Sequence, residues 1–313
     1  MSGERQMQRV LVTGGAGFIG SHIVDALVAA DADVTVADNL STGFAENLNA
    51  VANRIRLERF DMVDDDIERL LRAGRFDTIF HAAANAYIPT SIENPEGDLR
   101  DNIVATHRLL AAMRKISPQT TLLYVSTAAV YGEGSGVAIN EDELTRPVSP
   151  YGVSKLAAEL YVTLYARLYG LRTNSVRLFS VYGPRLRKQV VWDFMNRLRA
   201  NPDELVINGD GTEERDLNHV RNVVAAVLLV AGRGDLTGSV YNVAAQDSVS
   251  IDRLARMLAE AMGMTPAFSH TGQARLGHAR SWKADIGRIE ALGYSPQVGY
   301  EEGLAETVAW FRR

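Results

Sequence analysis

The chain has 313 residues, 46% of them hydrophobic and 23% charged, a composition typical of a globular protein with a large buried core. A net charge of -5 and an isoelectric point near 5.7 argue against nucleic acid or an anionic membrane as a partner. The absence of cysteine excludes disulfides, thiol nucleophiles and thiolate metal sites, and the six histidines show no metal-ligand spacing, so no metal is expected.

The start of the chain is polar, and the first apolar stretch is soon interrupted by glycines. A signal peptide is therefore not expected. The longest apolar run, 223–231, is too short to cross a bilayer. We expect a cytoplasmic protein.

The first half of the chain alternates short apolar runs with segments of helical periodicity. The predicted strands are 10–13, 33–38, 55–60, 78–81, 121–126 and 173–178. The predicted helices between them are 19–29, 65–72, 99–115 and 151–169. Six strands with helical crossovers predict an α/β fold with a doubly wound parallel sheet of the Rossmann type.

The pattern changes after residue 184. Predicted helices at 191–199, 251–262 and 301–311 and a Gly-Asp-Gly turn indicate a smaller α/β lid. Two apolar segments, 220–230 and 240–243, are expected to pack back on the first domain. The predicted domains are therefore discontinuous: 1–180 with 217–245 for the dinucleotide, and 181–216 with 246–313 for the substrate.

A glycine-rich motif, Thr-Gly-Gly-Ala-Gly-Phe-Ile-Gly at 13–20, joins the first strand to the first helix. Gly14 permits a tight turn, Gly17 allows the backbone to approach phosphates, and Gly20 allows the helix to pack on the strand. The amides and dipole of the helix N-terminus favour an anion. No Lys-Ser/Thr pair follows, so the motif predicts a dinucleotide site rather than an NTPase loop.

Asp38 ends the second strand about 20 residues beyond this motif, where a carboxylate accepts hydrogen bonds from adenosine ribose hydroxyls. Its charge would repel a 2′-phosphate, so NAD is expected rather than NADP. The alternative is a cap for the turn at Asn39. Asp61, after the third strand, is placed to meet the adenine amino group, or it is an exposed turn carboxylate.

Tyr151 and Lys155 are four residues apart on one predicted helix and therefore share a face. Lowering a phenol pKa from about 10 to about 7 requires roughly 4 kcal/mol. One ammonium about 4 Å away at an effective dielectric near 20 supplies on the order of that energy. Lys155 and the oxidised nicotinamide ring would then hold Tyr151 partly ionised as an acid/base. The alternative is an exposed pair with no role.

These segments, in order, resemble the extended short-chain dehydrogenases/reductases, and specifically the nucleotide-sugar epimerases and dehydratases, closest in pattern to the UDP-glucose 4-epimerases. The resemblance covers nearly the whole chain. Besides the two motifs above, the matching segments are 38–43, 81–84, 126–132, 177–184 and 209–220. It implies NAD, a nucleotide-diphosphate sugar substrate, and a homodimer joined through the helices 99–115 and 151–169.

The resemblance also implies the site residues. Thr127 would complete a catalytic triad with Tyr151 and Lys155 and bond the reacting sugar oxygen, although by itself it also fits a β-branched strand end. Besides Tyr151 and Lys155, the cofactor residues would be Gly14, Gly17, Phe18, Ile19, Gly20, Asp38, Asn39, Ser41, Thr42, Gly43, Asp61, Met62, Ala82, Ala83, Ala84, Asn102, Ser126 and Phe179. The substrate residues would be Thr127, Tyr151, Ser180, Arg185, Val190, Arg215, Arg275 and Trp282.

Four substrate positions bear on specificity. Arg215 and Arg275 match arginines that bind the diphosphate, but Arg275 begins Arg-Leu-Gly-His where the family has Arg-Pro-Gly-Asp. Ser180 replaces the usual Asn. Trp282 falls where a bulky residue excludes N-acetylhexosamines in the epimerases, or it is simply a core residue. A surface salt bridge is the alternative role for both arginines.

Ala128 and Ala129 stand where related dehydratases have an Asp-Glu pair, so no acid is evident to protonate a leaving hydroxyl. The prediction is a UDP-hexose 4-epimerase. Arg185 and Arg187 could instead bind a uronate carboxylate, which leaves a UDP-glucuronate 4-epimerase open. A 4-ketoreductase with the same triad and a non-catalytic NAD-binding regulator also fit the pattern.

Overall fold

A computed structural model describes residues 5, 7–133, 137–272 and 283–313 of the protein. Its strands are β1 (Arg9–Thr13), β2 (Asp33–Asp38), β3 (Ile55–Arg59), β4 (Thr78–His81), β5 (Thr121–Thr127), β6 (Ala138–Ile139), β7 (Arg172–Leu178), β8 (Ser180–Tyr182), β9 (Glu204–Ile207), β10 (Glu214–His219), β11 (Thr237–Val243), β12 (Ser248–Ser250), β13 (Ala267–His270) and β14 (Lys283–Ala284).

The α-helices of the described residues are α1 (Phe18–Ala29), α2 (Ile67–Gly74), α3 (Ile88–Glu93), α4 (Pro95–Leu99), α5 (Ala105–Ile116), α6 (Pro150–Tyr169), α7 (Gln189–Ala200), α8 (Val220–Arg233), α9 (Ile251–Ala261), α10 (Gly287–Glu290) and α11 (Tyr300–Phe311). Short 3₁₀ helices cover Ala45–Arg54 and Ala128–Tyr131, and a π-helical turn covers Arg100–Val104. None of these helices is long and apolar enough to cross a membrane.

The central sheet contains seven of the described strands, all parallel, in the order β11-β7-β5-β4-β1-β2-β3. The chain starts in the middle at β1, moves outward to β3, and then returns past β1 to β4. The predicted doubly wound fold is thus confirmed. The reversal puts a switch point between β1 and β4, and in such sheets ligands bind outside the carboxyl ends of the strands at this point.

One predicted helix is interrupted. The segment predicted as a helix over 99–115 consists of α4, the π-helical turn at Arg100–Val104 and α5. The first part begins early because Pro95 occupies the first turn and the Asn94 side chain accepts a hydrogen bond from Gly97 N. Single π turns inside helices are frequent at functional sites. This turn contains the predicted cofactor residue Asn102.

Local sequence signals define both the start and the end of the helix α6. The Ser149 hydroxyl accepts a hydrogen bond from Gly152 N, Pro150 starts the helix, and Gly170 ends it with a φ of +69°. Both predicted catalytic residues of this helix lie in its first two turns. Their position relative to the sheet is therefore set by a helix with a sharply defined start.

Three hydrophobic cores hold the molecule together. One lies between the sheet, α1 and α8, the second between the sheet, α2, α5 and α6, and the third is built largely from α7, α9 and α11. The predicted division into two domains stays a prediction. Its boundary would change at one place, because Ile286, Ile289 and Tyr294 pack into the first core rather than the third.

Candidate active site

The glycine-rich loop closes tightly between β1 and α1. Gly14 has a φ of +68°, and a Cβ there would lie 2.5 Å from Ala83 N in the loop after β4. A Cβ on Gly20 would overlap the carbonyl oxygen of Gly14. Larger residues at either position would push the loop away from its neighbours.

The amino end of α1 has the chemistry that a diphosphate needs. The helix starts after Gly17, no side chain caps it, and its first turn has no acidic residue. The first amides and the positive end of the helix dipole are therefore not neutralised by a local carboxylate. The dinucleotide predicted from the glycine motif fits this end of the helix.

Asp38 lies at the carboxyl end of β2 beside this loop. Its Oδ2 accepts a hydrogen bond of 2.9 Å from Ala16 N, and its Oδ1 accepts one of 2.8 Å from Leu40 N. The second bond is the turn cap expected if Asp38 has a local role. Each carboxylate oxygen has two acceptor positions, so Asp38 retains capacity for ribose hydroxyls.

The carboxylate of Asp61 already accepts hydrogen bonds from other residues of the protein. Its Oδ2 accepts a hydrogen bond of 2.9 Å from the Asn39 amide, and its Oδ1 accepts one of 2.8 Å from Val63 N and lies 3.4 Å from Arg100. Burial alone would raise the pKa of Asp61, but these hydrogen bonds outweigh it and the pKa is lowered. A contact with adenine stays a prediction, as does one for the neighbouring Met62.

His81 ties the carboxyl ends of the central strands together. Its ring contacts the Thr13 hydroxyl at 2.6 Å and the Thr106 hydroxyl at 3.0 Å. Burial, together with the charge of Lys155, lowers its pKa to about 3, so the ring is neutral. This histidine is a structural link between β1, β4 and α5, and the following Ala82 to Ala84 line the edge beside Gly14.

Thr127 ends β5, and Tyr151 and Lys155 face it from the first turns of α6. The Thr127 hydroxyl lies close enough to the Tyr151 phenol to lower its pKa. The Lys155 ammonium donates a hydrogen bond of 2.6 Å to Val125 O and lies 4.2 Å from the centroid of the Tyr124 ring. The structure thus brings the three predicted catalytic side chains to one end of β5.

Burial has the largest effect on the pKa values of these groups in the protein alone. Burial raises the pKa of Tyr151 to about 12, the side chain of Thr127 lowers it, and the charge of Asp98 raises it. Burial lowers the pKa of Lys155 to about 7, and Glu159 and Asp98 raise it. The partly ionised Tyr151 was expected from Lys155 together with the oxidised nicotinamide ring, and it stays a prediction.

Two side chains fit a cofactor on this side of the sheet. Ser126 is 3% exposed, and its hydroxyl has no hydrogen-bond partner among the described residues. Phe179, also buried, lies 6.3 Å from the Tyr131 ring, centroid to centroid. An unpaired buried hydroxyl is costly, so Ser126 is suited to a polar group of a bound ligand. The cofactor residues as a set stay a prediction.

Ser180 and Arg215 occupy neighbouring strands of the second domain. Ser180 starts β8, and it pairs with Leu217 on β10, two residues after Arg215. Burial lowers the pKa of Arg215 and the charge of Glu213 raises it, while its guanidinium donates to Glu214 O at 2.8 Å. Val190 is half-buried at the start of α7. Arg275 and Trp282 lie outside the described residues.

Two arginines that could bind a uronate carboxylate are paired with carboxylates of the first domain. Arg185 lies 2.7 Å from Asp25 on α1, and Arg187 lies 2.6 Å from Glu46. Both ion pairs join the segment after β8 to the dinucleotide-binding half. A role in binding substrate stays a prediction for Arg185, and it would require that this pair be broken or shared.

The structure adds side chains that the sequence did not single out. Asp98 and Ser154 form a buried hydrogen-bonded pair beside Lys155, and Glu159 lies one turn further along α6. Lys188 reaches across from the start of α7 to donate a hydrogen bond of 2.7 Å to Ala86 O. For Glu159, the i+4 spacing from Lys155 was a usable signal. No pattern in the sequence connects residues 98 and 154.

No group of His, Asp or Glu in the described part of the chain is arranged to hold a metal ion.

Known proteins are similar to this chain over nearly its full length. The model of the NAD dependent epimerase/dehydratase family matches residues 10–244. The UDP-glucose 4-epimerase of Mycolicibacterium smegmatis is 36% identical over 97% of this chain and 98% of its own. The dTDP-glucose 4,6-dehydratase of an Actinoplanes species is 34% identical, with the same 97% and 98% coverage. The crystal structure of a UDP-glucose 4-epimerase from Thermotoga maritima with UDP-glucose has a TM-score of 0.90 and 35% identity, covering 97% of this chain and 98% of that one.

Proposed function

Because this chain belongs to the NAD-dependent epimerase/dehydratase family, we propose that it is a nucleotide-sugar 4-epimerase that interconverts UDP-hexoses such as UDP-glucose and UDP-galactose. One observation carries the proposal. Thr127, Tyr151 and Lys155 meet at the carboxyl end of β5, close to the glycine-rich loop, and the residues after Thr127 carry no acid.

The chain's own residues handle the proton of the sugar. NAD, when bound, supplies an acceptor that takes the hydride from C4 and returns it. The Thr127 hydroxyl holds the sugar O4 beside Tyr151, and the Tyr151 oxygen takes the O4 proton as C4 becomes a ketone. The same proton returns to O4 after the keto sugar has presented its other face. The ammonium of Lys155 favours the ionised phenol during this cycle.

The residues after Thr127 favour epimerisation over dehydration. Ala128 and Ala129 are 1% and 7% exposed in the short helix after β5. A dehydratase must protonate a leaving hydroxyl, which requires an acid close to the sugar. Alanine methyl groups cannot supply that proton. Oxidation and re-reduction at one carbon need no group beyond Thr127, Tyr151 and the cofactor.

Competing functions differ in how well the structure supports them. Arg185 and Arg187 each form an ion pair through one guanidinium nitrogen, with Asp25 and Glu46, while Nη1 of Arg185 is buried without a hydrogen-bond partner among the described residues, so a hexuronate substrate stays an alternative. A non-catalytic NAD-binding protein has no need of the three converging side chains. A 4-ketoreductase would use the same residues but would consume reduced cofactor. The cytoplasmic location stays a prediction.

The test is turnover of a panel of UDP-glucose, UDP-galactose, UDP-glucuronate and UDP-N-acetylglucosamine, with products identified by NMR. We expect UDP-glucose and UDP-galactose to interconvert without added reductant. Tyr151→Phe should lower kcat by about 10²- to 10⁴-fold while NAD remains bound. Stoichiometric consumption of reduced cofactor, or a wild-type rate in Tyr151→Phe, would refute the proposal.

We also infer that the protein is a homodimer joined through α6. Its outer face exposes Val153, Leu160, Leu164 and Leu168, each about half exposed or more, and Leu99 of α4 is exposed as well. These residues recur every one or two helical turns and form one apolar stripe. The stripe on this 20-residue helix can pack against the same stripe of a second copy, because a two-fold axis brings identical surfaces into contact.

A further inference from the structure

Asp98 is a buried carboxylate that the proposed reaction does not use. It lies in α4 and is 1% exposed. Its Oδ2 accepts a hydrogen bond of 2.5 Å from the Ser154 hydroxyl, and its Oδ1 accepts one of 3.1 Å from the Asn102 amide. Both donors are neutral. No ion pair of Asp98 occurs within the described residues. Burial raises the pKa of its carboxyl, and the hydrogen bonds from Ser154 and Asn102 and the charge of Lys155 oppose that rise.

Lys155 is in the complementary position. It is 2% exposed, and its ammonium contacts only neutral groups, the carbonyl of Val125 and the ring of Tyr124. The next carboxylate on its helix, Glu159, is held by Arg177 through two guanidinium nitrogens, the shorter bond being 2.6 Å. The charge of Glu159 is therefore already paired. Among the described residues, Lys155 is a buried cation with no carboxylate in contact.

Ser154 connects these two groups. It precedes Lys155 in α6, and its hydroxyl bonds Asp98 on one side and the backbone oxygen of Tyr151, at 3.0 Å, on the other. The π-helical turn adds a second link, because the Asn102 amide donates to Asp98 and to the Ser154 hydroxyl at 2.9 Å. The carboxylate is thus fixed against the turn of α6 that carries both catalytic side chains.

We propose that Asp98 is the counter-anion of Lys155 and a positioning residue for the acid/base pair: its charge keeps Lys155 protonated and sets the pH range in which Tyr151 exchanges its proton. The energetic reason is that a buried ammonium needs a nearby negative charge to remain ionised. Asp98 supplies that charge without a direct bond, so the ammonium stays oriented toward the strand.

The other titratable groups around Asp98 and Lys155 are either ion-paired or uncharged. On the side of Asp98, Asp101 is paired with Arg100 at 2.8 Å. On the side of Lys155, His81 is neutral, and burial raises the pKa of Tyr124 well above its usual value.

The remaining titratable group in this surrounding, Glu159, is neutralised by Arg177. The pKa shifts agree with the geometry. After burial, Glu159 and then Asp98 are the groups that raise the pKa of Lys155, and Asp98 also raises that of Tyr151. Since Glu159 shares its charge with Arg177, the unshared charge is that of Asp98.

The test is Asp98→Asn, which keeps the shape and can still hydrogen-bond Ser154 and Asn102. Loss of the negative charge should lower the pKa of both Tyr151 and Lys155, so both limbs of the kcat/KM profile should move to lower pH, by about one unit. The chain has four lysines, Lys115, Lys155, Lys188 and Lys283. Lys155 can therefore be titrated directly by NMR of ¹³C-labelled lysine, with its signal assigned from Lys155→Met.

Asp98→Glu is the matched control, because it keeps the negative charge, and it should leave the Lys155 titration close to that of the wild type. If Asp98→Asn does not fold, the smaller neutral Asp98→Ser takes its place. An unchanged Lys155 titration in the neutral variant, or an equal shift in Asp98→Glu, would overturn the inference.

This inference rests on the proposed function only where activity is the readout. If the wild-type enzyme turns over no nucleotide sugar, the proposed function fails, while the lysine titration still decides whether Asp98 holds the charge of Lys155. If the epimerase is active and Lys155 titrates identically with and without the Asp98 charge, only the role of Asp98 is refuted.

Discussion

The pKa of the Tyr151 phenol is raised by burial and by the charge of Asp98 and is lowered by Thr127. Burial raises its pKa to about 12, and the Thr127 hydroxyl opposes that rise. A base must be deprotonated at the working pH to accept a proton, and the optimum pKa lies near that pH. Thr127 therefore does more than hold the sugar oxygen, since it also favours the ionised form of the base.

We predict that Thr127→Val moves the acid limb of the kcat/KM profile to higher pH. Valine has the shape of threonine but cannot hydrogen-bond the phenol, so the pKa of Tyr151 rises and the ionised fraction at neutral pH falls. We expect kcat at pH 7 to drop by about 10²-fold or more. A pH–rate series on wild type and variant would measure the shift.

Thr127→Ser is the control for this change, because it retains the hydroxyl, and its acid limb should stay near that of the wild type. A Thr127→Val enzyme with an unchanged profile would mean that the hydroxyl has no effect on the base.

At the level of secondary structure, the site depends on how α6 is fixed to the sheet. Arg177 on β7 forms a bidentate ion pair with Glu159 on α6, and it also donates a hydrogen bond of 2.8 Å to the Tyr131 hydroxyl. Tyr131 in turn donates to the Asn242 side chain on β11 at 2.7 Å. This buried network connects α6, β7, β11 and the short helix that follows Thr127.

We predict that Glu159→Gln lowers the free energy of unfolding by about 3–5 kcal/mol, because it leaves the Arg177 guanidinium buried without its anion. Urea unfolding followed by circular dichroism would measure this loss. Glu68→Gln is the matched control: it removes one carboxylate from an exposed cluster with Lys115 and Arg72, where solvent screens the charges. Equal unfolding midpoints for the two variants would contradict a stabilising role for the buried pair.

At the scale of the whole molecule, the exposed apolar stripe of α6 is the surface proposed to bind a second copy of the chain. The apolar stripe of α6 lies on the outer face of the helix whose inner face carries the catalytic residues. A partner on this stripe would hold α6 from outside while the network around Arg177 holds it from within. Assembly and catalysis would then share one structural element.

We predict that Leu160→Glu with Leu164→Glu converts the proposed dimer to a monomer, because two buried carboxylates would face their own copies across the two-fold axis. Sedimentation velocity at micromolar concentration would measure the change in mass. Leu57→Glu, at an exposed leucine on β3, should leave the mass unchanged. A monomeric wild-type protein at the same concentration would refute the proposed interface.

Several features were predictable because they depend on residues close together in the chain. The turn at Gly14 and the helix start after Gly17 follow from the glycines of an eight-residue motif, which have no side chains. Tyr151 and Lys155 share a face because helical geometry places residues four apart on the same side. The strand and helix positions of the first half follow from periodicity, so the doubly wound fold was accessible from the sequence.

Other features required the tertiary structure. The π-helical turn at residues 100–104 was not predicted, since it depends on Asn102 meeting Asn85 and Ser154, which come from different parts of the chain. The same holds for Arg185, whose partner Asp25 is 160 positions away. The burial of Tyr151, which raises its pKa, also required the tertiary structure, because spacing along a helix gives proximity but not burial.

The amino-acid sequence by itself determined the local geometry: the glycine turn proposed to bind phosphate, the helix with the proposed acid/base pair, and alanines at the two positions after Thr127. The tertiary structure alone decided which charges form ion pairs in contact: among the described residues, Arg185, Arg187 and Glu159 do, while Asp98 and Lys155 do not. The physical reason is that pairing and desolvation depend on contacts between distant segments, and these exist only once the cores have packed.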